Sequence, residues 1–377
     1  MDAPQPKNRA LSSAHILGWD FLRGLCALAV AAYHLMSWLE VAHWHSLGTH
    51  GVYIFFVLSG ASLAYTYSPQ INARSFDFPG FLFLRYFRLA PLFLLLVALS
   101  LPWKLHKDDF TLALLADVML NATFLFGIYQ PIQHSLLVGG WSLGIEVVFY
   151  MAFPLMLATL RRPVLAIGLF VCLLVVQASW IAATVGSPDG YEATLVAYHH
   201  APAFAAYFFV GCIIGWRRRF NTGGQTLAET PGWVLLVLGL LCVYGLSPEH
   251  AGDQLMGWRG VSLAFLCPLL VDIASRIQWR KPMAKLAQRL GDATYGVYLI
   301  HPVIYFGLTM VALPLLGMAP AADWSTLAKL VLAVVVLVCS WGLALISEYH
   351  FERPLRNWSK TLLSVHRAKY FRSLRPF

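Results

Sequence analysis

The run VLAIGLFVCLLVVQASWIAATV, at positions 164–185, decides the fold class of this chain. It contains no Asp, Glu, Lys or Arg, and it reaches the roughly 20 apolar residues that an α-helix needs to cross a bilayer. Shorter apolar runs at 92–101 and 234–245, and a long run at 327–346 that is interrupted by a charge only at Lys329, qualify or nearly qualify as further spans. Because a helix satisfies its backbone hydrogen bonds within one segment, these runs predict a bundle of membrane-spanning helices.

The composition points to the same class of protein. Of the 377 residues, 59% are hydrophobic and only 12% are charged, and the mean hydropathy is +0.65. A soluble domain is nearer half apolar and a quarter charged. This composition excludes an ordinary soluble enzyme, a disordered chain and a collagen-like fibre. An outer-membrane barrel would instead show alternating strands of about ten residues.

The net charge of +9 has two possible explanations. In a soluble protein, an excess of basic residues suggests nucleic acid as a partner. In a membrane protein, it is the usual bias of Lys and Arg toward cytoplasmic loops. We take the second explanation and expect no nucleic-acid partner. The six cysteines lie singly in apolar stretches without a C-x-x-C pair, so a zinc site and a disulfide framework are not indicated.

The apolar runs predict about ten spans. They lie at 19–40, 48–68, 81–101, 141–160, 163–185, 201–216, 231–246, 258–275, 293–314 and 326–347. A further segment, 110–129, is apolar but is interrupted by Asp117, Asn121 and Thr123. If it crossed, the three arginines at 217–219 would lie outside, against the positive-inside rule. We therefore predict that this segment is interfacial or re-entrant.

The resulting fold class is all-α, a polytopic integral membrane bundle of about ten transmembrane helices with one extra interfacial or re-entrant segment. We expect it in the cytoplasmic (inner) membrane, as a multi-pass protein with both termini cytoplasmic. The predicted domains are a cytoplasmic N-terminal tail at 1–18, a transmembrane domain at 19–354 and a basic cytoplasmic tail at 355–377. The C-terminal tail is expected to lie on the inner leaflet.

Ionisable residues within spans are costly in lipid and are candidates for function. Arg23 and His34 are eleven residues apart, close to three helical turns, so they share one helix face about 16 Å apart. The orientation places Arg23 near the cytoplasmic edge and His34 in the outer half. An arginine that snorkels to headgroups and a hydrogen-bonded core histidine would also explain the pair.

Glu146 is the second candidate. It lies about one and a half turns into its span from the outer surface, near the expected depth of His34. A carboxylate beside an imidazole fixes its tautomer and raises its basicity, so we expect Glu146 to orient His34. The structural alternative is a carboxylate bonded to a Ser or Tyr hydroxyl.

Arg85 and Arg88 form the third candidate, because a spacing of three places them on one helix face. With Arg23 they predict a cationic patch facing the cytoplasm, suited to a ligand that carries phosphates. Ordinary snorkelling to the headgroups is the alternative explanation for the pair.

Tyr298 and His301 share a face of a later span, and we place His301 about a third of the way in from the cytoplasm. A ligand contact and a hydrogen-bonded core histidine explain His301 equally well. Three further histidines, His43, His45 and His50, crowd the first outer loop. A metal site needs additional ligands, so we predict no metal.

These residues, in this order, resemble the acyltransferase-3 family of membrane O-acyltransferases. The similarity extends over about 19–354. Its motifs are Asp20–Phe21–Leu22–Arg23–Gly24 followed by His34, Gly51–Val52 with Phe55–Phe56–Val57–Leu58–Ser59–Gly60, Arg85-x-x-Arg88, Trp141–Ser142–Leu143-x-x-Glu146-x-x-Phe149–Tyr150, Tyr295-x-x-Tyr298–Leu299-x-His301 and Glu352–Arg353–Pro354. Ala61 departs from the pattern, because many members carry an aromatic residue after this Ser–Gly pair.

The resemblance implies transfer of an acyl group, acetyl foremost, from cytoplasmic acyl-CoA to a hydroxyl of a glycan or related acceptor. It assigns catalytic roles to Arg23, His34 and Glu146. The donor's phosphates are expected to contact Arg23, Arg85 and Arg88, and the donor site to include Tyr298 and His301. The expected partners are acyl-CoA, the acceptor and the lipid bilayer. His34 either acts as a general base or carries the acyl group covalently.

Two other kinds of function remain as alternatives. A proton-coupled transporter of a lipid or glycan would use the buried His and Glu side chains as proton relays. Many such transporters contain inverted repeats, and no matching halves are visible in this sequence. A purely structural scaffold would leave Arg23, His34 and Glu146 idle in the membrane at a high energetic cost.

Overall fold

A computed structural model describes residues 16–107, 111–185, 196–221, 226–245, 247–248 and 251–373. Helices and turns make up these segments, and the extended backbone among them is limited to one isolated bridge between Leu227 and Ile277. The all-α class predicted from the apolar runs is therefore confirmed.

The longer helices are numbered here in chain order. They are α1 (Leu17–Trp38), α2 (His45–Asn72), α3 (Phe78–Lys107), α4 (Leu112–Thr123), α5 (Gly140–Thr159), α6 (Pro163–Thr184), α7 (Ala205–Phe220), α8 (Glu229–Gly245), α9 (Gly257–Arg276), α10 (Lys281–Gly307), α11 (Thr326–Ser347) and α12 (Arg353–Ser373). Short π-helical turns, Leu308–Ala312 and Glu348–Glu352, follow α10 and α11 and continue the same helical path.

Helices occupy all of the predicted spans. In the described residues, 8 of them are long and apolar enough to cross a membrane. The spans predicted at 201–216 and 231–246 correspond to α7 and α8, which have 16 and 17 residues. A multi-pass integral membrane protein is therefore confirmed, and the total of about ten crossings stays a prediction.

Within the segment predicted as interfacial or re-entrant, residues 111–129 form a short helix and a loop that enters the bundle. Helix α4 has 12 residues, which corresponds to about 18 Å, less than the roughly 30 Å of the hydrocarbon core. It ends at Phe124, whose backbone is left-handed at φ 59°. The chain then turns inward, because Phe124, Phe126 and Gly127 are buried and Gly127 packs directly on Gly144 of α5. A re-entrant path agrees with these contacts.

Helices α1 and α10 run parallel to each other. Gly291 packs on Asp20 near one end of the pair, and His301 contacts His34 farther along both helices. Glycine is required at 291, because a Cβ there would lie 2.5 Å from the Cβ of Asp20. This parallel alignment brings the histidines of two distant sequence motifs together.

Helices α2 and α7 form a second parallel pair with very close backbones. A Cβ on Gly211 would lie 2.1 Å from the carbonyl oxygen of Val57, and one on Gly215 would lie 2.0 Å from that of Ala61. Small residues at such a contact allow helices to approach within van der Waals distance of each other's backbone. The 51–60 motif, which contains Val57, therefore packs closely against α7.

The structure describes the two predicted tails to different extents. Residues 1–15 of the tail predicted at 1–18 lie outside the described residues, and α1 begins at Leu17. At the other end, α12 begins within the predicted boundary at 354 and packs against α3 through its first turns, with Trp358 against Phe87. The assignment of 355–377 to a tail on the inner leaflet stays a prediction.

Candidate active site

Arg23 is fixed on α1 by contacts to its own helix and to α2. Its guanidinium forms a 3.0 Å ion pair with Asp20, one turn earlier. It also donates hydrogen bonds to the carbonyl oxygen of Leu58, at 3.3 Å, and to the hydroxyl of Ser62. These partners hold the charge inside the bundle, so simple snorkelling to headgroups does not describe Arg23.

Arg85 and Arg88 extend this positive charge from α3. Arg85 donates to the Tyr67 hydroxyl at 3.3 Å, and its guanidinium lies over the rings of Tyr67 and Phe81. Arg88 is exposed and, in the part of the chain that the structure describes, forms no hydrogen bond or ion pair. Its electrostatic neighbours include Arg85 and Arg23. The three arginines predicted as a patch therefore lie together, at what we call the arginine end of the bundle.

Sequence reasoning missed a fourth arginine at this end. Arg356, in the first turn of α12, also lies within electrostatic range of Arg88. It forms a two-pronged ion pair with the buried carboxylate of Glu348 and a longer contact of 3.8 Å to Glu352. The Glu352–Arg353–Pro354 motif, just before it, was the available signal, but the boundary drawn at 354 assigned Arg356 to the tail.

Glu146 lies beside the arginines and not beside His34, so the predicted Glu146–His34 pair is wrong. Its carboxylate accepts hydrogen bonds from the hydroxyls of Tyr150, at 2.7 Å, and Ser59. Ser59 lies next to Leu58, the carbonyl of which binds Arg23. The bonds of Glu146 match the structural alternative of a carboxylate held by Ser and Tyr.

The position at which α5 begins explains why Glu146 is not at the predicted depth. The Tyr298 hydroxyl donates to the carbonyl oxygen of Gly139, at 3.0 Å, immediately before α5. Tyr298 lies one turn before His301 on α10, on the side of the arginine end. Helix α5 therefore begins closer to the arginine end than His34 lies. Glu146 is seven residues farther toward the arginine end, which adds about 10 Å. The loop after α4, which is buried at Phe126 and Gly127, leads into this low starting point of α5.

His34 and His301 form a direct contact. The Nδ1 atom of His34 lies 3.0 Å from the Nε2 atom of His301, and the Nδ1 atom of His301 lies 2.9 Å from the carbonyl oxygen of Val297. Trp38 stacks on the His34 ring at 5.0 Å with planes 14° apart. His301 is 1% exposed, whereas His34 is half-buried.

This contact also corrects the depth predicted for His301. The two rings cannot be in contact if one lies in the inner third of the membrane and the other in the outer half. Helix α10 begins at Lys281, well before the predicted span at 293–314, and its helical path continues to Leu315. The helix is thus longer than a bilayer requires, and the predicted window placed His301 too near the cytoplasm.

Tyr298 lies between the histidine pair and α5. Its buried hydroxyl donates to the Gly139 carbonyl oxygen and lies 3.0 Å from the Ser142 hydroxyl, and its ring meets Phe55 edge-on. These contacts anchor the beginning of α5. A contact between Tyr298 and a donor stays a prediction.

The outer histidines are separate from this pair. His43 bonds to Ser37 and His45 to Tyr33, each at 3.3 Å, while His50 is buried and donates to the Ser46 carbonyl oxygen. Over the described ranges, no group of three or more His, Cys, Asp or Glu residues is arranged to hold a metal ion.

Comparison with known families identifies the class of the protein. The family model of the acyltransferase-3 family, described as an acyltransferase domain, matches residues 16–346. The chain belongs to this family and is a membrane acyltransferase. No curated protein and no solved structure gives a significant match to it.

The geometry combines two chemically different clusters on one face of α1. One is cationic and includes Arg23, with Arg88 free to bind an anion. The other contains two imidazole side chains in contact, those of His34 and His301. The first can hold phosphate groups through charge-assisted hydrogen bonds, and the second can accept and return a proton.

Proposed function

We propose that this acyltransferase moves an acyl group, for which we expect acetyl, from acyl-CoA to a hydroxyl of a glycan or related acceptor. The observation that supports it best is the placement of Arg23 and His34 on the same face of α1, about 16 Å apart. A donor with charged phosphates at one end and a reactive thioester at the end of a long pantetheine arm suits two such separated clusters.

The donor's phosphates would bind at the arginine end. Arg23 is already oriented by Asp20, Leu58 and Ser62, so it loses little side-chain entropy when an anion binds. Arg88 has no competing carboxylate partner in the described residues, which leaves its full set of donors for a phosphate. An unpaired cation within a span is expensive, so an anionic ligand there would be favourable.

The reaction would take place at His34. The imidazole removes the proton as the acceptor oxygen attacks the thioester carbonyl, an O–C bond forms, and the C–S bond breaks. The departing thiolate then takes the proton from His34 and leaves as free CoA. General-base help of this kind contributes about 10²- to 10⁴-fold in rate. Holding donor and acceptor together supplies much of the remaining acceleration.

Covalent catalysis is the second route that these residues support. In that case the imidazole attacks the thioester, releases CoA, and passes the acyl group to the acceptor in a second step. Release of CoA before the acceptor is added, in a burst equal to the amount of enzyme, would identify this route.

The membrane location of the substrates follows the predicted topology. With both termini in the cytoplasm, the arginine end faces cytoplasmic acyl-CoA and His34 lies toward the outer half of the inner membrane. An acceptor at the outer surface of that membrane, such as a lipid-linked sugar or a surface glycan, would then reach the histidine from the opposite side to the donor.

The test uses the full chain in lipid nanodiscs with labelled acetyl-CoA and a panel of hydroxyl acceptors. We expect acceptor-dependent release of the CoA thiol and transfer of the label. His34→Ala should bind acetyl-CoA with unchanged affinity and slow transfer by about 10²- to 10⁴-fold. His43→Ala, an exposed outer histidine, is the matched control and should keep full activity.

Two results would overturn the proposal. Undiminished transfer by His34→Ala would remove the histidine from the chemistry. A wild-type protein that binds acetyl-CoA and leaves the thioester intact, while it moves a lipid or glycan across the membrane, would instead support the transporter alternative.

A further inference from the structure

The hydrogen bonds of His301 determine which of its nitrogens carries hydrogen. Its Nδ1 atom lies 2.9 Å from the carbonyl oxygen of Val297, one turn earlier on α10. A carbonyl oxygen only accepts hydrogen bonds, so Nδ1 must be the donor. In a neutral imidazole the other nitrogen then carries a lone pair. The Nε2 atom of His301 is therefore an acceptor.

This assignment passes on to His34. Its Nδ1 atom lies 3.0 Å from that acceptor, a normal hydrogen-bond distance. One hydrogen must lie between the two nitrogens, and His301 cannot supply it from Nε2. The Nδ1 atom of His34 must therefore donate, which leaves the lone pair of a neutral His34 on Nε2.

The arrangement of the rings favours this bond. The planes of His34 and His301 differ by 18°, and their bonded nitrogens are much closer together than the ring centroids, which are 5.3 Å apart. The rings therefore meet edge to edge in nearly one plane, where nitrogen lone pairs and N–H bonds point. The Trp38 ring, stacked on His34, holds that plane.

The free nitrogen of His34 is also available. Its Nε2 atom has no hydrogen-bond partner among the described residues and is not a sealed, buried atom, in contrast to Nε2 of His50. His301, by comparison, is almost completely buried and has both nitrogens engaged.

We propose that His301 is a positioning residue that holds His34 in the Nδ1–H tautomer. The Nε2 atom of His34 is then free to take the proton from the hydroxyl of the acceptor substrate. This inference rests on the proposed function. His301 gains and loses no proton in the cycle: it accepts the Nδ1–H hydrogen bond throughout, and that bond strengthens while His34 is cationic. This role differs from the contact with the acyl donor that the family resemblance implied for His301.

The first test is spectroscopic and does not depend on activity. Full-length protein with ¹⁵N-labelled histidine is studied in nanodiscs by solid-state NMR, with the His34 signals assigned by their loss in His34→Ala. We expect neutral His34 to carry hydrogen on Nδ1 in the wild type. In His301→Phe, which has no acceptor, we expect a mixture of both tautomers. Hydrogen on Nε2 in the wild type would overturn the inference.

The second test separates positioning from packing by kinetics. His301→Phe should lower kcat by about 10- to 100-fold, a part of the general-base contribution, with KM for acetyl-CoA unchanged. His301→Gln, with a side-chain oxygen that can accept from His34, should recover most of the loss. An unchanged kcat in His301→Phe would overturn the inference. So would an equal loss of kcat in both variants while His34 still carries its hydrogen on Nδ1.

The two proposals fail in different ways. If His34→Ala is inactive while His301→Phe is fully active, the proposed function stands and the positioning role fails. If His34→Ala transfers normally, the proposed function fails, and the NMR result still decides whether His301 sets the tautomer of His34.

Discussion

Glu146 and Arg23 lie at the same level of the bundle, because both bind the same turn of α2. Arg23 donates to the Leu58 carbonyl oxygen, and the neighbouring Ser59 hydroxyl donates to Glu146. Glu146 also lies within electrostatic range of Arg85. The carboxylate is thus part of the arginine end and offsets a share of its positive charge.

This placement predicts a structural effect for Glu146. Glu146→Leu removes the acceptor of the Tyr150 and Ser59 hydroxyls, and we expect it to lower the free energy of unfolding by about 1–3 kcal/mol. Glu146→Gln keeps an oxygen in that position and should lose much less. Denaturant unfolding in nanodiscs measures both. Equal losses in the two variants would contradict the hydrogen-bonding role.

Arg88 provides a test of donor binding. Because it has no partner in the described residues, Arg88→Gln should remove a charge-assisted contact to the donor without disturbing the fold. We expect the Kd of CoA, measured by calorimetry, to rise by about tenfold or more, with kcat little changed. Arg162→Gln changes an exposed arginine between α5 and α6 and is the matched control. Equal CoA affinity in the wild type and Arg88→Gln would contradict the phosphate site.

Helical periodicity predicted which residues of one helix share a face, but not which residues of different helices meet at the same depth. The eleven-residue spacing correctly placed Arg23 and His34 on one face, and the spacing of three did the same for Arg85 and Arg88. These statements concern one helix at a time. Within a single helix, sequence separation converts directly to rotation and rise.

Contacts between helices depend on where each helix starts relative to its neighbours, and hydropathy does not measure this. Lys285 and Arg289 lie before the predicted span at 293–314, whereas α10 begins at Lys281 and includes both of them. Helix α5 likewise starts inside the protein, where the buried Tyr298 binds the Gly139 carbonyl oxygen. These two displacements exchanged the expected partners, so that His301 and not Glu146 contacts His34.

The close pair of α2 and α7 predicts a severe effect from a single methyl group. In Gly211→Ala the new Cβ would lie 2.1 Å from the Val57 carbonyl oxygen, so the two backbones must separate. We expect destabilisation of about 1–3 kcal/mol. Gly168→Ala on α6 is the control, because nothing lies within 4 Å of its Cβ, and alanine is favoured in a helix by about 1 kcal/mol. Thermal unfolding that ranks the two variants alike would contradict this packing.

The parallel helix pairs lead to a prediction about the number of crossings between them. Helices α2 and α7 run parallel, and so do α1 and α10. If α3, α5 and α6 each cross the membrane, then α2 and α7 are parallel only when α4 does not cross. The alignment of α1 with α10 imposes the same condition, provided that the later helices also cross. A non-crossing α4 agrees with the charge distribution that predicted a re-entrant segment.

Cysteine labelling from one side of the membrane tests this condition. Thr111→Cys and Tyr129→Cys place exposed thiols at the two ends of the segment that contains α4, in a protein whose native cysteines are replaced by serine. We expect a membrane-impermeant maleimide to label both from the same side. Ser75→Cys, between α2 and α3, is the control and should be labelled from the opposite side. Labelling of Thr111→Cys and Tyr129→Cys from opposite sides would mean that α4 crosses, and the directions of α7 and α10 would then conflict with their parallel packing.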